Sequence, residues 1–495
     1  MSQLLSGRNE GALGGVYVNT AFRVDHNEIR LYFFQDMENR NEIMYLDGWQ
    51  WKPLIVRCIC PLTTLVSQCT VEGHLGVATF TDSRDAHQLI LRTRLTSQQF
   101  NVTLRDVRLP PSGQYSHQLG VCLQPVYFHA DWTAYVQYLE FWIASGATKF
   151  YLYIHSVTPK VRRLLSEYES LLGDSLEIVP WSDLPVQMRD RGNFFADPNT
   201  RIFSAGGHNG LNDCILRARS SVKFLAVADL DELLHVPISL SPVAMLNKLA
   251  DSHPHAASFA FDWPYVQDES SSRDVLRPSD ISFSFLTRLR RPVTSAVARD
   301  YARLKKMIHR PERVIMSDVH NILIGEIRPS QEAALRYGYY SKRRFDVSVS
   351  NHPVNVPHYE ERYEEVRVDE STASMLHLRR FDALSHVHVQ YNTSSSFDHV
   401  ARLAVAMEER LKRRIADGQL SNAKVGVWYP TYEQTMRDLE QCRTFPFNVG
   451  QRIGKGFCRS LVNCEPMLTV QEAFEKGDQV WTNVAHRGKY ISIIH

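Results

Sequence analysis

The sequence FLAVADLDE, at residues 224–232, joins five consecutive apolar residues to a segment that carries three carboxylates. A short, fully apolar run of this kind is typical of a strand buried on both faces, as in a parallel sheet. In an open α/β sheet, ligands bind outside the carboxyl ends of the strands. The stretch therefore predicts a buried strand at 224–228 and a chemically active strand end at 229–232.

The preceding hundred residues alternate between helix and strand patterns. Apolar residues recur at helical spacing after Asp131, which suits a helix N-cap, and again over 161–172 and 208–221. Short apolar strands lie between these helices, at Phe150–Ile154 and Leu176–Val179. This alternation predicts an α/β fold, with a mostly parallel sheet covered by helices on both faces.

The chain divides into three predicted regions. Residues 1–115 have strand composition and end in a turn-rich segment, which predicts a β-rich accessory domain. Residues 116–395 hold the α/β pattern, and the basic stretch 266–330 within them is expected to form long loops over the sheet. Residues 396–495 are expected to form a mixed C-terminal extension, helical and cysteine-containing.

Charge and hydropathy limit the class of protein. Lys and Arg number 56 and Asp and Glu 54, and the resulting net charge of +2 argues against a dedicated nucleic-acid binder. No apolar run approaches the roughly 20 residues needed to span a bilayer, and the first residues lack a secretory apolar stretch. As given, the chain is expected to be soluble, or to be a lumenal piece whose anchor is missing.

Cysteines and glycosylation motifs indicate the compartment. The chain has eight cysteines, and two clusters, at 58–69 and 442–464, could each hold disulfides. Two sequons are present, at Asn101-Val-Thr103 and Asn392-Thr-Ser394. Together these features favour an oxidising compartment over the cytosol. The alternative is that the cysteines are buried free thiols.

Asp229 and Asp231 could share one divalent cation at the strand end. Mg²⁺ or Mn²⁺ prefers such oxygen ligands and keeps open positions for diphosphate oxygens, as a sugar-nucleotide enzyme requires. The alternative is a solvated turn. Phosphatases of the haloacid dehalogenase type also use Asp-x-Asp after a strand, but near the chain start and with Thr or Val where this chain has Leu233. That class is therefore discounted.

The helix before this strand carries three further candidates. Asn212, Asp213 and Arg217 lie about one turn apart and share part of a helical face, behind glycines whose helix N-terminus could face a phosphate. Arg217 could pair with a diphosphate, and Asp213 with a ribose hydroxyl or a base. The alternative is an ion pair within the helix.

Four blocks of the sequence together resemble glycosyltransferase family 92. They lie at 131–153, 212–232, 305–320 and 376–379, in that order. The resemblance covers about 120–390 and departs from the family at Leu378, where a His-Tyr-Arg type sequence is usual. It implies a GT-A fold and an inverting, metal-dependent transfer from a nucleotide sugar.

The resemblance also implies substrates and a location. Characterised members are mainly UDP-galactose-dependent β-galactosyltransferases that act on fucose of N-glycan cores or on galactan. They are typically type II membrane proteins of the Golgi, so the secretory pathway and the Golgi lumen are expected. This chain lacks the N-terminal anchor of that class, which means a truncated sequence or a different delivery.

By this resemblance, Mn²⁺ or Mg²⁺ is held by Asp229, Asp231 and a histidine. His377 is the candidate, with His320 behind it, although a lone histidine after an apolar residue is more often a hydrogen-bonded core residue. The general base is expected to be Asp262, with rivals at Asp268, Glu269 and Asp318. Trp263 and Tyr265 are expected to stack on an acceptor sugar.

Two other functions remain open. One is a transferase of the same fold that uses another UDP-sugar, such as UDP-GlcNAc or UDP-glucose. The other is a secreted carbohydrate-binding protein without turnover, against which the paired carboxylates argue.

Overall fold

The computed structural model describes residues 15–36, 44–47, 52–53, 55–58, 69–79, 88–93, 100–193, 196–237, 240–267, 274–292, 304–328, 362–379, 391–392, 397–453, 458, 460, 462–470, 472–478, 481–486 and 489–494. Its strands and helices form an N-terminal β module, a mixed α/β body and a C-terminal segment that contacts both.

The N-terminal β module is a sheet of ten strands. Eight come from the start of the chain: β1 (Gly15–Asp25), β2 (Glu28–Asp36), β3 (Met44–Asp47), β4 (Lys52–Pro53), β5 (Ile55–Cys58), β6 (Val71–Thr79), β7 (Gln88–Thr93) and β8 (Phe100–Asp106). They lie in the order β4-β3-β7-β8-β1-β2-β6-β5. The β-rich character predicted for residues 1–115 is confirmed.

The α/β body is built on a seven-stranded sheet. Its strands are β9 (His117–Val126), β10 (Lys149–Ile154), β12 (Leu176–Pro180), β13 (Val222–Val227), β15 (Ala256–Asp262), β18 (Lys305–His309) and β21 (Glu364–Arg367), and short strands intervene at β11 (Ser156–Val157), β14 (Glu232–His235), β16 (Tyr265–Gln267), β17 (Arg291–Pro292), β19 (Val314–Ser317) and β20 (Ile322–Gly325). The order is β12-β10-β9-β13-β18-β15-β21. All neighbours pair in parallel except at β18, which is antiparallel to β13 and β15.

Helices cover both faces of this sheet, as predicted. The α-helices among the described residues are α1 (Trp132–Ala144), α2 (Pro159–Leu172), α3 (Gly207–Ala218), α4 (Pro242–Ser252), α5 (Asp398–Ala416) and α6 (Tyr429–Ile453). Phe224 and Ala226 of β13 pack into the core shared with α1, α2, α4 and α5, whereas Leu225 and Val227 face the core shared with α3. Because successive strand residues alternate in direction, an all-apolar strand serves two layers of helices.

The prediction of long loops over residues 266–330 is wrong at 314–317 and 322–325, where β19 and β20 lie, and at 305–309. Strand β18 lies there, in the middle of the sheet, and Met307 and Ile308 are fully buried. Only these two apolar residues mark the strand, and Lys305 and Lys306 before them give the segment the composition of a surface loop. Their charges are matched by carboxylates from other parts of the chain.

The β module packs closely on the α/β body. Phe22, Val24 and Leu75 share a core cluster with Leu216 of α3 and with Met316. Ion pairs cross the same boundary: Arg30 with Glu326 at 2.6 Å, Arg201 with Asp36, and Arg105 with Glu177 at 2.7 Å. Whether residue 115 bounds a separate domain stays a prediction.

The C-terminal segment returns to both earlier parts. Helix α5 packs on α1, and buried Glu140 of α1 accepts hydrogen bonds from Arg410 at 2.5 Å and Arg414 at 2.7 Å. The remaining strands are β22 (Ser374–Arg379), β23 (Tyr391–Asn392), β24 (Glu475–Lys476), β25 (Trp481–His486) and β26 (Lys489–Ile494). Strand β26 pairs in parallel with β1 and so completes the first sheet.

Three disulfides are present among the described residues: Cys69–Cys458, Cys122–Cys214 and Cys442–Cys464. The expectation that each cluster would hold its own disulfides is met at Cys442–Cys464. It is wrong for Cys69, because the tail folds back to place Cys458 beside β6. Disulfides persist in oxidising compartments, so the three bonds indicate a secreted or lumenal protein. No helix in the described part of the chain is long and apolar enough to cross a membrane.

Candidate active site

The site lies where the order of the sheet reverses. The chain leaves β9 towards β10 and β12 on one side, whereas β13 lies on the other side of β9. In open α/β sheets, such a reversal opens a crevice at the carboxyl ends of the two strands. Asp229 to Glu232 follow β13 at this crevice. Phe128, just after β9, has φ of 48°, a strained conformation of a kind that concentrates at functional sites.

Asp229 is held by a buried ion pair. Its backbone N–H donates to Glu232 Oε2 at 2.8 Å, and its Oδ2 accepts from Lys306 Nζ at 2.8 Å. Lys306 Nζ also lies 3.0 Å from Glu232 Oε1. The Lys306 and Glu232 side chains are 1% and 0% exposed, whereas that of Asp229 is 43% exposed. The buried Lys306–Glu232 pair therefore holds the exposed Asp229 carboxylate in place.

The charges in this pair depend on each other. Burial would lower the pKa of Lys306, but the carboxylates of Asp229 and Glu232 raise it above its usual range, so the ammonium stays charged. Burial acts to raise the pKa of Glu232, and the Lys306 ammonium acts in the opposite direction by favouring the carboxylate. Lys306 is thus a permanent positive charge directly below Asp229.

Asp231 faces His377. Strands β14 and β22 pair so that Glu232 lies opposite His377, and Asp231 accepts the backbone N–H of Leu378 at 2.7 Å. The Asp231 Oδ2 and His377 Nε2 atoms are 3.0 Å apart. Two residues that are 146 positions apart in the sequence therefore meet at the crevice.

Aromatic rings fix the orientation of His377. The Trp263 ring stacks on the imidazole with centroids 4.2 Å apart and an interplanar angle of 18°, and the Tyr265 ring lies 4.9 Å away. Lys306 Nζ lies 5.3 Å from the Trp263 centroid, within cation–π range. Trp263 thus links the histidine to the buried ion pair. The acceptor stacking expected of Trp263 and Tyr265 stays a prediction, because both rings here pack on His377.

The side chains at the crevice meet only part of the requirements of a metal ion. Among the described residues, no group of three or more His, Cys, Asp and Glu side chains is arranged to hold one. The 3.0 Å between Asp231 Oδ2 and His377 Nε2 nevertheless equals the separation of two adjacent ligands on an octahedral ion with bonds of about 2.1 Å. The two atoms are hydrogen-bonding partners here, their spacing also suits two ligands of one metal ion, and exposed Asp229 lies two residues away.

His320 also lies beside Trp263. Their ring centroids are 5.8 Å apart. The Nδ1–H of His320 donates to the Lys305 carbonyl at 2.8 Å, because a carbonyl can only accept. The lone pair of neutral His320 is therefore on Nε2. Burial lowers the pKa of His320, which favours this neutral form.

The predicted donor-binding residues make contacts within the protein. Asn212 bonds both backbone groups of Ser317, each at 2.8 Å. Asp213 is buried, pairs with Arg217 at 2.5 Å and accepts from Tyr153; Arg217 also pairs with Glu177 at 2.8 Å. The ion pair within helix α3 is thus present, and contact with a donor stays a prediction.

Of the candidate bases, Asp262 has an arginine partner. Its Oδ1 accepts from Arg367 at 2.7 and 3.2 Å. Asp318 instead caps a turn, accepting the backbone N–H groups of His320 and Asn321 at 2.7 and 2.5 Å. The rivals Asp268 and Glu269 lie outside the described residues.

Sequence reasoning missed Lys306 as a site residue. The signal was present in Lys306-Met307-Ile308-His309, where a charged residue precedes an apolar pair in a segment resembling the family. The basic residues around that lysine are instead typical of a solvated loop.

Comparison with known proteins gives the family. The glycosyltransferase family 92 model matches residues 117–414, more than half of the chain. A glycosyltransferase family 92 protein of Caenorhabditis elegans is 27% identical over 141 residues, which are 28% of this chain and 27% of that protein. The match thus spans about a quarter of the curated relative.

Among solved structures, a UDP-glucose pyrophosphorylase complexed with UDP-glucose aligns with a TM-score of 0.19 and 8% identity, over 59% of this chain and 99% of that one. The family match implies a transferase with a sugar donor and an acceptor, and it includes β13, the Asp-x-Asp turn, β18 and β22. The chain belongs to glycosyltransferase family 92.

Proposed function

We propose that this chain is an inverting, metal-dependent glycosyltransferase with a GT-A type fold. The observation that carries the proposal is the contact of Asp231 with His377 just after the carboxyl end of β13, two residues from exposed Asp229 and inside the region matched to the family. Carboxylates and an imidazole at the reversal point of an α/β sheet suit a nucleotide-sugar site.

In this proposal, Asp229, Asp231 and His377 hold Mn²⁺ or Mg²⁺. When bound, such an ion neutralises the charge that develops on the leaving diphosphate. Trp263 and Tyr265 keep His377 in place by stacking, and the buried Lys306–Glu232 pair keeps Asp229 in place. Preformed geometry of this kind favours transition-state stabilisation, because little reorganisation remains at the moment of reaction.

The donor is proposed to lie in the crevice between the ends of β9 and β13. UDP-galactose is the leading candidate, and another UDP-sugar is the alternative. Asn212, Asp213 and Arg217 of helix α3 are the proposed donor-binding residues. Asn212 would act by holding the turn that carries His320, since it bonds Ser317 three residues earlier.

The acceptor is proposed to be a glycan, such as fucose of an N-glycan, joined through a β-linkage. Asp262 is the proposed base that takes the proton of the acceptor hydroxyl. For this role, one oxygen of Asp262 must face the acceptor while Arg367 holds the other. The acceptor sugar would stack on the parts of the Trp263 and Tyr265 rings that His377 does not cover.

The Golgi lumen is the proposed location, and disulfides support an oxidising compartment. Family members are usually anchored there as type II membrane proteins.

The test combines donor screening with a thermal shift. Purified chain with Mn²⁺ is offered UDP-Gal, UDP-Glc, UDP-GlcNAc, UDP-GalNAc and GDP-Man, and release of the free nucleotide is measured with and without EDTA. We expect slow, EDTA-sensitive release from one donor. A ligand that binds only the folded state must raise the melting temperature, so UDP with Mn²⁺ should do so.

Asp231→Asn should abolish both signals, and Asp251→Asn, an exposed acid on α4, should leave both unchanged. If neither release nor a thermal shift is seen with the unaltered chain, the enzyme proposal fails and a carbohydrate-binding protein is indicated. A shift that survives Asp231→Asn would show that the metal ligands are wrongly assigned.

A further inference from the structure

Lys306 is an unusual residue for the middle of a sheet. Its side chain is 1% exposed, and it lies on β18 between two other strands of the α/β body. Burying a charge is unfavourable unless it is paired, and a buried pair stabilises a fold no better than apolar residues of similar volume. Packing alone therefore does not explain a lysine at this position.

The position of Lys306 relates it to the metal ligands. Its Nζ is 2.8 Å from Asp229 Oδ2, so a divalent cation bound by Asp229 would lie close to a fixed positive charge. That charge opposes the binding of a metal ion by itself. A nucleotide diphosphate adds negative charge on the outer side of the metal and offsets this repulsion.

We propose that Lys306 is an internal counter-ion that keeps metal affinity low until the nucleotide diphosphate arrives. Metal and nucleotide then bind together, and each raises the affinity for the other. This inference rests on the proposed function. It makes Lys306 a positioning residue that acts through Asp229, and nothing in it requires contact between Lys306 and substrate.

If Lys306 had a purely structural role, its removal would change Mn²⁺ affinity in the opposite direction. If Lys306 only holds Asp229 in place, its removal weakens Mn²⁺ binding. If Lys306 acts as a counter-ion, its removal strengthens the binding of Mn²⁺ alone and reduces the extra affinity that UDP confers.

The test measures free Mn²⁺ by electron paramagnetic resonance in titrations with and without UDP. Lys306→Met by itself leaves Glu232 buried without its partner, so the comparison is made between Glu232→Gln and the double variant Glu232→Gln/Lys306→Met. We expect the double variant to bind Mn²⁺ alone about tenfold or more tightly than Glu232→Gln. Lys306→Arg keeps the positive charge, so its Mn²⁺ affinity should stay close to that of the unaltered chain.

Equal or weaker binding in the double variant would overturn the inference. It would leave the proposed function intact, provided that the unaltered chain binds Mn²⁺ with UDP. If the unaltered chain binds no Mn²⁺ even with UDP, both proposals fail.

The sequon at Asn101 lies on strand β8 of the N-terminal β module. Asn101 and Thr103 are exposed on one face of β8, whereas Val102 and Leu104 face the module's core. Asn101 pairs with Ile90 of β7, so the backbone is fixed and the amide projects outward. The disulfides indicate that the chain is secreted or lumenal, where such asparagines are glycosylated. We infer that Asn101 carries an N-linked glycan.

The test is digestion with an N-glycanase after expression in a eukaryotic secretory host. Asn101→Gln and Thr103→Ala should each remove the mobility shift, whereas Thr103→Ser keeps the sequon and should retain it. Asn392→Gln should also retain it. A shift that disappears only with Asn392→Gln, or no shift in the unaltered chain, would overturn this assignment.

Discussion

Trp263 is the residue whose role the structure changes most. It was expected to stack on a sugar, yet its ring lies against the imidazole of His377. Loss of a residue that orients a metal ligand commonly lowers metal affinity by about 10–100-fold. The contribution of Trp263 is therefore expected in metal binding as well as in acceptor binding.

We predict that Trp263→Ala weakens Mn²⁺ binding in the presence of UDP by about 10–100-fold. Trp263→Phe keeps an aromatic ring that can stack on His377, so it should lose much less Mn²⁺ affinity. The measurement is a Mn²⁺ titration with UDP, together with KM for the acceptor. A raised acceptor KM at unchanged Mn²⁺ affinity would contradict the orienting role and favour sugar stacking.

His309 is expected to make the stability of the folded chain depend on pH. It is fully buried on β18, and burial lowers its pKa to about 3, against an ordinary value of about 6.5. Above pH 6.5 both folded and unfolded chains hold it neutral, so it adds no pH dependence. Between pH 6.5 and 3 only the unfolded chain takes up the proton, so stability falls by about 1.4 kcal/mol per pH unit.

His309→Asn should reduce this slope, since Asn can keep a hydrogen bond to Ser258 and does not titrate. The free energy of unfolding in urea is measured at several pH values from 7 to 5. Buried His235 and His399, whose pKa values burial also lowers, should preserve the remaining acid sensitivity. An identical slope in His309→Asn would contradict the prediction.

At the scale of elements, the contact of α5 with α1 depends on one buried carboxylate. Glu140 accepts from Arg410, Arg414 and Tyr168, and its side chain is fully buried. Removal of one partner from a buried ion pair leaves the other charges unmatched, which is strongly destabilising.

We therefore expect Glu140→Ala to lower the free energy of unfolding by about 3–5 kcal/mol. Lys412→Ala removes an exposed pair with Glu408 on the same helix and should change it by about 0.5 kcal/mol or less. Urea denaturation of both variants gives the comparison. If both variants lost a similarly small amount of unfolding free energy, the contact of α5 with α1 would add little to stability.

Elements also differ in how well the sequence predicted them. Strands β10, β12 and β13 were found because each is a continuous apolar run bounded by turns. Strand β18 was missed because the burial of Lys306 depends on carboxylates about 75 residues away, and no local pattern reveals such a partner. Likewise, the Asp231–His377 contact joins distant positions, and only the family resemblance singled out His377 beforehand.

At the scale of the whole molecule, the β module and the α/β body depend on each other. Leu216, Ile315 and Met316 of the body are buried by Phe22, Val24 and Leu75 of the module. Glu326 pairs with Arg30 across the same boundary. Removal of the module would expose this apolar surface and leave Glu326 without that partner.

We predict that a chain of residues 116–495, with Cys458→Ser to avoid a free thiol, does not fold cooperatively. The full chain with Cys69→Ser/Cys458→Ser is the control and should fold, with a free energy of unfolding lower by about 2–5 kcal/mol. Near-ultraviolet circular dichroism and gel filtration distinguish the two. A monomeric, cooperatively unfolding fragment would show that the module is a separable domain.

The Cys69–Cys458 disulfide has a consequence for biosynthesis. Its two cysteines are 389 residues apart, and strand β26, which completes the first sheet, is made later still. At about 5–20 residues per second, a ribosome needs roughly 20–80 s to travel from one cysteine to the other. During that time Cys69 can react only with wrong partners. Cys69 must therefore either stay reduced or exchange its partner reversibly, and correct pairing becomes a checkpoint reached only after translation is nearly complete.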